Sequence, residues 1–598
     1  MGGQGARATA ARQRRARGRQ FRQIGLGLPT RTVCLDHTAA SVIGTGRLGS
    51  DNQAMSVPAA PPRIVLATLN AKYIHASLGL RCLLANMDRH GRPGLREETL
   101  LREYVIAQKP LQIVEDLLAL DPEVIGFGVY IWNAVPTLQV LRLLKALRPG
   151  IKVVLGGPEV SHELDQQELC RLADHVITGW GDVSFPKLCR ALLDGPPPLM
   201  KVMAGEQPPL DELALPYAEY SDDDLAQRLL YVEASRGCPF KCEFCLSALD
   251  KTAWAFELDR FMAELAQLFE RGARHFKFVD RTFNLKIEHS TRILQFFLDR
   301  MRGPKGQLPD RSEVFVHFEV VPDNLPDRLK ELIAQFPAGS LQFEVGIQSF
   351  NPEVQQRISR KQDNEKTAEN LRWLVTDSRA HVHADLIFGL PGETLESFAA
   401  GFDRLHALGP HEIQLGILKR LRGAPIARHT EGAAMVYDPE PPYTILQNDC
   451  VDFPTVQRVQ RLARYWDLVA NSGRFAQALA LLLAGPSTFG AFLAWSDWLW
   501  QRTGKTHEFA HEKLVDLLFE HFTQVRGLEA TQVRAALLTD YLASGARAKP
   551  RCLAPLLDAA APAQRAAVAT RAARQARHVH QADAQALREQ IQKAAAAA

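Results

Sequence analysis

The sequence predicts an α/β chain in three parts: a Rossmann-like open parallel sheet, then a (β/α)6 barrel or part of one, then a mostly α-helical carboxyl-terminal region. Three observations carry this expectation. Residues 63–195 alternate apolar, β-branched runs with amphipathic helical runs, the pattern of a parallel sheet covered on both faces. Residues 229–420 repeat strand and helix six times. Past residue 421 the strand period stops and helical periodicity takes over.

The 598 residues are 46% hydrophobic and 23% charged, the balance of a soluble globular protein. At roughly 150 residues per domain they make three or four domains. No apolar run approaches the roughly 20 residues of a membrane span. The nine cysteines are odd in number and three crowd into one stretch, so they do not read as a disulfide framework. Free thiolates fit a reducing, cytoplasmic location. Residues 1–54 hold nine arginines against two acids, so the overall charge of +4 leaves the rest at −3, without nucleic-acid-binding character.

Residues 1–62 are rich in Arg, Ala, Gly and Thr and carry no sustained apolar period. They read as a disordered basic segment, with Met55 as the candidate true start. The apolar core of a secretory signal is missing from them. In 63–195, strands are expected at 63–69 and near 98–104, 123–129, 151–155 and 174–177, with a helix over 77–88. Ligands of such sheets bind beyond the carboxyl ends of the strands. The loops there are Asn70-Ala71-Lys72-Tyr73-Ile74-His75, Tyr130-Ile131-Trp132-Asn133, Gly156-Gly157-Pro158-Glu159 and Gly179-Trp180-Gly181-Asp182. The first two bring polar and aromatic groups, while the glycines of the last two let backbone approach a ligand closely. Residues 196–228, with Pro196-Pro197-Pro198, Pro208-Pro209, Pro216 and the acidic run 222–224, read as a linker whose acids are a solvated face.

The barrel region opens on a strand followed by Ser235-Arg236-Gly237-Cys238-Pro239-Phe240-Lys241-Cys242-Glu243-Phe244-Cys245. Thiolates spaced Cys-x3-Cys-x2-Cys are soft ligands, suited to an iron–sulfur cluster or to zinc. Zinc wants a fourth Cys or His close by, and none follows. A 4Fe–4S cluster ordinarily takes four thiolates. Three leave one iron open, and open positions mark chemistry.

This run resembles the signature of the radical SAM superfamily, with Phe244 as the aromatic before the last cysteine. The resemblance implies that Cys238, Cys242 and Cys245 hold a 4Fe–4S cluster and that S-adenosylmethionine (SAM) binds the free iron. Reductive cleavage would then give a 5′-deoxyadenosyl radical. It also implies a partial barrel, with strands near 229–236, 275–280, 313–319, 340–347, 381–388 and 411–417 and the site at their carboxyl ends. The candidates to line SAM are Phe244, Asp280 for the ammonium, Glu319, Gln348 and Ser349, with Gly389 and Ile387 against adenine. A guanidinium at Arg360 suits the SAM carboxylate. Glu393 and Thr394 read as a helix cap.

Residues 63–195 are similar to the cobalamin-binding domain that precedes the barrel in one large radical SAM class. The matching pieces are the Asn70 loop with Tyr73, the Gly156-Gly157-Pro158 turn and the Gly179-x-Gly181-acid turn. The same glycines would also serve the ordinary turns of a Rossmann-like domain. The Asp-x-His-x-x-Gly motif that bonds a histidine to cobalt is missing, and His75, His162 and His175 stand in other contexts. The cobalamin is therefore expected without a histidine ligand.

Residues 421–570 carry helical segments, with Trp495, Trp498 and Trp500 read as core. The resemblance suggests a variable cap over the barrel mouth that selects substrate. Residues 571–598 are a low-complexity tail.

The resulting expectation is a radical SAM enzyme with a 4Fe–4S cluster, SAM and cobalamin. Its electron donor would be flavodoxin or ferredoxin, and it would methylate an unactivated carbon of a small molecule or peptide. Radical rearrangement, cyclisation or oxidation without methyl transfer, and a non-catalytic cobalamin or redox sensor, are the alternatives. An RNA substrate is disfavoured, because the carboxyl-terminal region lacks a basic, aromatic β-barrel pattern.

Overall fold

The computed structural model describes residues 61–250, 252–303, 306–310 and 312–559. The basic segment through residue 60, Met55 and the tail 571–598 lie outside the described residues.

The first part is an open sheet of six parallel strands: β1 Ile64–Asn70, β2 Thr99–Val105, β3 Val124–Gly128, β4 Lys152–Gly156, β5 His175–Thr178 and β6 Val202–Ala204, in spatial order 2-1-3-4-5-6. β1 is buried along its whole length. Its Val65, Ala67 and Leu69 join one apolar cluster and Ile64 and Leu66 another, so helices cover both faces. The strand order turns back between β1 and β3, and such a switch point opens a crevice beyond the strand ends.

The segment expected as a linker is more structured than that. It contributes β6, a three-residue edge strand flanked by prolines and too short for a periodic signal. Its acidic run is not a solvated face throughout. Asp224 is buried, closes a capping box with Ser221 at the start of the helix Asp222–Gln227, and pairs with Arg81 at 2.7 Å. A buried guanidinium needs such partners, and Arg81 takes Glu103 as well.

The second part is a six-stranded parallel sheet curled into a partial barrel. Its strands are β7 Leu230–Val232, β10 His275–Phe278, β11 Phe315–Val320, β12 Leu341–Gln348, β13 His381–Phe388 and β14 Glu412–Ile417, paired in that order. Between β7 and β10, the short strands β8 Ser235–Gly237 and β9 Ala253–Ala255 pair antiparallel and carry the cysteine loop between them. β12 shows the alternation that shapes the site. Leu341, Phe343, Val345 and Ile347 are buried, whereas Gln342, Glu344, Gly346 and Gln348 alternate with them.

A sheet that does not close has two edges to satisfy. At β7 the hydroxyl of Tyr217 accepts from the Glu233 N–H at 3.1 Å and donates to the Glu233 carbonyl at 3.0 Å. The hydroxyl of Tyr220 treats Tyr231 the same way. At β14 the amide of Asn471 brackets Ile413, accepting from its N–H at 3.1 Å and donating to its carbonyl at 2.9 Å.

Asn471 lies just past the helix Phe453–Val469, in the third part. There the helices Phe453–Val469, Ala476–Leu482, Thr488–Thr503, His511–Glu520 and Ala530–Ala543 share the barrel's apolar core. Trp466 and Phe489 stack edge-on against Phe402 of the outer helix Leu395–Ala407, and Trp495 is fully buried. These helices therefore buttress the outside and the β14 edge of the barrel. The segment 420–451, which opens the same region, meets the first part. There Arg420 and Arg422 pair with Glu163, Arg422 with Glu159, and Tyr443 donates to Glu159 at 2.5 Å.

Candidate active site

Two cavities open at the carboxyl ends of the two sheets. The first, about 300 Å³, is lined by the carboxyl ends of β3, β4 and β5 and by the helix Leu78–Ala85. Gly156, Gly157, Gly179 and Gly181 line it, with Gly79, Gly126 and Gly128. Gly157 has no alternative: its φ is +108°, and a Cβ would stand 2.5 Å from the Val129 carbonyl. Gly156 meets no such limit: a Cβ there would make only an ordinary contact, 3.9 Å from the Ile177 carbonyl. Asn70 and Tyr73 do not line this cavity. Asn70 is buried and donates to the His75 carbonyl and to Glu103, which shapes its own loop. Tyr73 is exposed, lies under Arg228 and bonds Gln227.

Among the described residues no histidine lines this cavity. His75 is engaged with Tyr231, His175 with the Met200 carbonyl, and His162 packs its ring beside Gly423. A floor of glycine with apolar walls suits a broad, flat cofactor held by shape and backbone, and the cobalt would take no histidine from these residues.

The second cavity, about 210 Å³, lies at the mouth of the partial barrel. Cys238, Cys242 and Cys245 all line it, with Phe244, Glu319 and Gln348 from among the expected residues. A register shift between Gly346 and Gln348, with φ +70° at Gln348, turns that side chain at the end of β12. Asp280, Ser349 and Gly389 do not line it. Asp280 accepts from the Ala234 N–H at 3.0 Å and the Ser235 hydroxyl at 2.6 Å, so it fixes the base of the cysteine loop. Burial pushes its carboxyl up to about 7. Ser349 donates to the buried Glu393 at 2.5 Å, and Glu393 is therefore no cap; Thr394 alone caps the next helix. Gly389 has φ +90°, and a Cβ there would meet Ile445 at 2.7 Å, so its glycine serves packing.

Sequence reasoning missed Arg281 and Glu344, which line the second cavity. The signal for Glu344 was present: it stands two and four residues before Gly346 and Gln348 on one strand face. Although burial opposes it, His317 at 3.1 Å and Lys277 at 3.2 Å hold the Glu344 carboxylate well below the usual range. Burial, with Glu344 and Glu319 nearby, pushes Asp385 well above it. The cavity thus sets a carboxyl held toward its ionised form beside one pushed toward its neutral form. Arg360 borders Cys242, 3.4 Å from its sulfur, and donates to the Gly346 carbonyl.

The three cysteines fit a cluster. Burial raises the Cys238 and Cys242 thiols, so thiolates here call for positive charge that iron would supply. Among the described residues no three His, Cys, Asp or Glu side chains converge on a single-ion site. A cluster of several irons does not require that, since each thiolate can take its own iron. The loop is anchored through Glu243, which accepts from Ser359, Arg428 and His429.

Comparison with known proteins agrees with this division. Residues 64–189 match the B12 binding domain, residues 232–405 the Radical SAM superfamily, and residues 433–598 a protein family of unknown function, DUF4080. The chain thus carries a radical SAM domain with a B12-binding domain before it. It is 26% identical over 355 residues to the cobalamin-dependent radical SAM methyltransferase TokK of Streptomyces tokunonensis, covering 53% of this chain and 50% of that one. It is 26% identical over 339 residues to the 2-(S-pantetheinyl)-carbapenam-3-carboxylate methyltransferase of Streptantibioticus cattleyicolor, covering 51% and 48%. The chain thus spans about half the length of these curated relatives. The fold is similar to that of the methyltransferase TsrM of Kitasatospora setae with cobalamin and a [4Fe-4S] cluster bound, at a TM-score of 0.50 and 17% identity, covering 63% of this chain and 80% of that one. Among the described residues no helix is long and apolar enough to cross a membrane.

Proposed function

We propose that this protein is a cobalamin-dependent radical SAM methyltransferase acting on a carbon of a small molecule or peptide. The observation that carries the reading is the pair of cavities: a glycine-floored one in the B12-binding domain, lined also by Arg236, and a cysteine-lined one in the barrel. When bound, the cluster with SAM supplies a carbon-centred radical and cobalamin a transferable methyl group. The protein's own side chains do the rest. Cys238, Cys242 and Cys245 hold the cluster. Glu344 and Glu319 accept from the SAM ammonium, and the Arg360 guanidinium takes its carboxylate. Asn70, Tyr73, Asp280, Ser349 and Gly389 act from behind the cavities by holding loops in place. The electron comes from an external carrier of the flavodoxin or ferredoxin kind.

The test is anaerobic reconstitution with iron, sulfide and cobalamin, followed by SAM and dithionite. Chromatography then quantifies 5′-deoxyadenosine and S-adenosylhomocysteine. Deoxyadenosine that disappears in Cys242→Ala supports radical chemistry at this loop. S-adenosylhomocysteine formation that needs cobalamin supports methyl transfer. A fully loaded protein that makes neither, with candidate substrates present, would sink the proposal.

A further inference from the structure

One partly buried side chain next to the cysteine loop reaches into the first cavity. Arg236 lies in β8, two residues before Cys238, and lines the glycine-floored cavity from the barrel side. It donates to both oxygens of Asp182, at 3.0 and 3.1 Å, and to Glu233 at 2.8 Å. Asp182 ends the Gly179-Trp180-Gly181-Asp182 loop of the B12-binding domain. The guanidinium also lies over the rings of Trp180 and Phe256, at 5.0 and 5.6 Å. Trp180 in turn meets Trp254 edge-on, with centroids 5.6 Å apart. Trp254 belongs to β9, the strand that closes the hairpin around the cysteine loop.

The hairpin has little slack at this point. Gly237, between Arg236 and Cys238, has φ +83°, and a Cβ there would stand 2.4 Å from the Thr252 carbonyl and 2.9 Å from the Trp254 ring. A planar fork engaged on both oxygens of a carboxylate fixes direction as well as distance. A change in the Asp182 loop is therefore transmitted to the strand that launches Cys238. Arg236 also lies 3.5 Å from the Cys82 sulfur of the open-sheet part, whereas the pairs of Glu163 with Arg420 and Arg422 are made to a segment outside this hairpin.

We propose that Arg236 is a positioning residue that couples the two cofactor sites, so that cobalamin in the first cavity orders the cysteine loop and the loaded loop tightens cobalamin. This rests on the cofactor assignment above. By linkage, the factor must be the same in both directions.

Hydrogen–deuterium exchange on the unloaded full-length protein tests the link without any cofactor. Asp182→Asn alters only the B12-binding side, yet it should speed exchange in peptides covering 235–245 about tenfold. Glu163→Gln loosens the outer pairing and should leave those peptides unchanged. Equal effects of the two variants, or none from Asp182→Asn, overturn the link. Visible titration with hydroxocobalamin then measures coupling. The wild-type Kd should be roughly fivefold or more tighter with the cluster loaded than without it. Arg236→Lys keeps the charge but loses the fork, and should bring the ratio to about one. A wild-type ratio near one, or an unchanged ratio in Arg236→Lys, overturns coupling. A wild type that takes up no cobalamin overturns the cofactor assignment instead, and the exchange result still decides whether the loops are linked.

Discussion

The two cavities differ in what they are made of. Seven glycines and three charged residues line the one over the open sheet, whereas one glycine and seven charged residues line the one with the cysteines. The first recognises by subtraction: side chains are removed so that backbone can approach a large, flat partner. The second recognises by addition: thiolates, guanidinium groups and carboxylates are placed to meet charge with charge. Substitutions should therefore act on the first by volume and on the second by chemistry, and that expectation can be broken.

The largest effect belongs to the second cavity. Cys242→Ala removes one thiolate without filling space, and should abolish iron–sulfur absorption and reduce deoxyadenosine formation to the assay background. Cobalamin uptake should survive within the coupling factor described above. Loss of cobalamin uptake altogether would mean that the two cavities are one site.

The next effect is on the first cavity and compares neighbouring glycines. Gly156→Leu adds a side chain to the cavity lining at an ordinary φ, where a Cβ meets only the Ile177 carbonyl at 3.9 Å, so it should weaken cobalamin binding by about a hundredfold in a visible titration while leaving thermal stability near wild type. Gly157→Ala adds a single methyl group where φ is +108° and the Val129 carbonyl stands in the way. It should cost about 1–3 kcal/mol in stability. If Gly157→Ala is silent in a denaturant titration, the glycine floor is not as tightly built as it stands here.

A smaller effect separates charge from geometry in the second cavity. Arg360→Lys keeps the cation but loses the planar fork, and should raise the SAM concentration for half-maximal deoxyadenosine formation roughly tenfold. Cobalamin binding to the unloaded protein should stay unchanged. An unchanged SAM response would move the carboxylate partner elsewhere, with Arg281 the next candidate.

The same contrast explains what was legible beforehand. The alternation of strand and helix, the cysteine spacing and the glycine turns are local patterns, and the open sheet, the partial barrel and both cavities follow from them. The residues lying behind the cavities are set by long-range geometry instead. Asp280 lies just past the end of one strand and Glu319 near the end of another, yet only Glu319 lines the cavity. The turn carrying Asp280 aims its carboxylate at the base of the cysteine loop, and no spacing rule distinguishes the two. Asp224 looked like a solvated acid because its partner, Arg81, is distant in sequence. Arg236 stood inside the most informative stretch of the chain, but its role depends on Asp182, which the fold alone brings near.

The smallest effect on chemistry should come from Glu393, which lines neither cavity. It is buried behind the strand ends with Ser349 as its hydrogen-bond partner, and burial pushes its carboxyl from the ordinary 4.5 up to about 7. Between those values the unfolded chain has released the proton and the folded chain still holds it. Glu393 therefore costs stability as pH rises from about 4.5, and the cost levels off above about 7. The ceiling is about 3 kcal/mol, from 2.5 pH units at 1.36 kcal/mol each. Glu393→Gln keeps an acceptor for the Ser349 hydroxyl and does not titrate. It should raise the melting temperature at pH 8, have little effect at pH 4.5, and leave deoxyadenosine formation near wild type. A variant equally stable to wild type at both pH values would show that Glu393 ionises freely in the folded protein. A variant that stops deoxyadenosine formation would show that the polar cavity extends back to the Ser349 pair, and the line between residues that meet SAM and residues that hold loops would have to be redrawn.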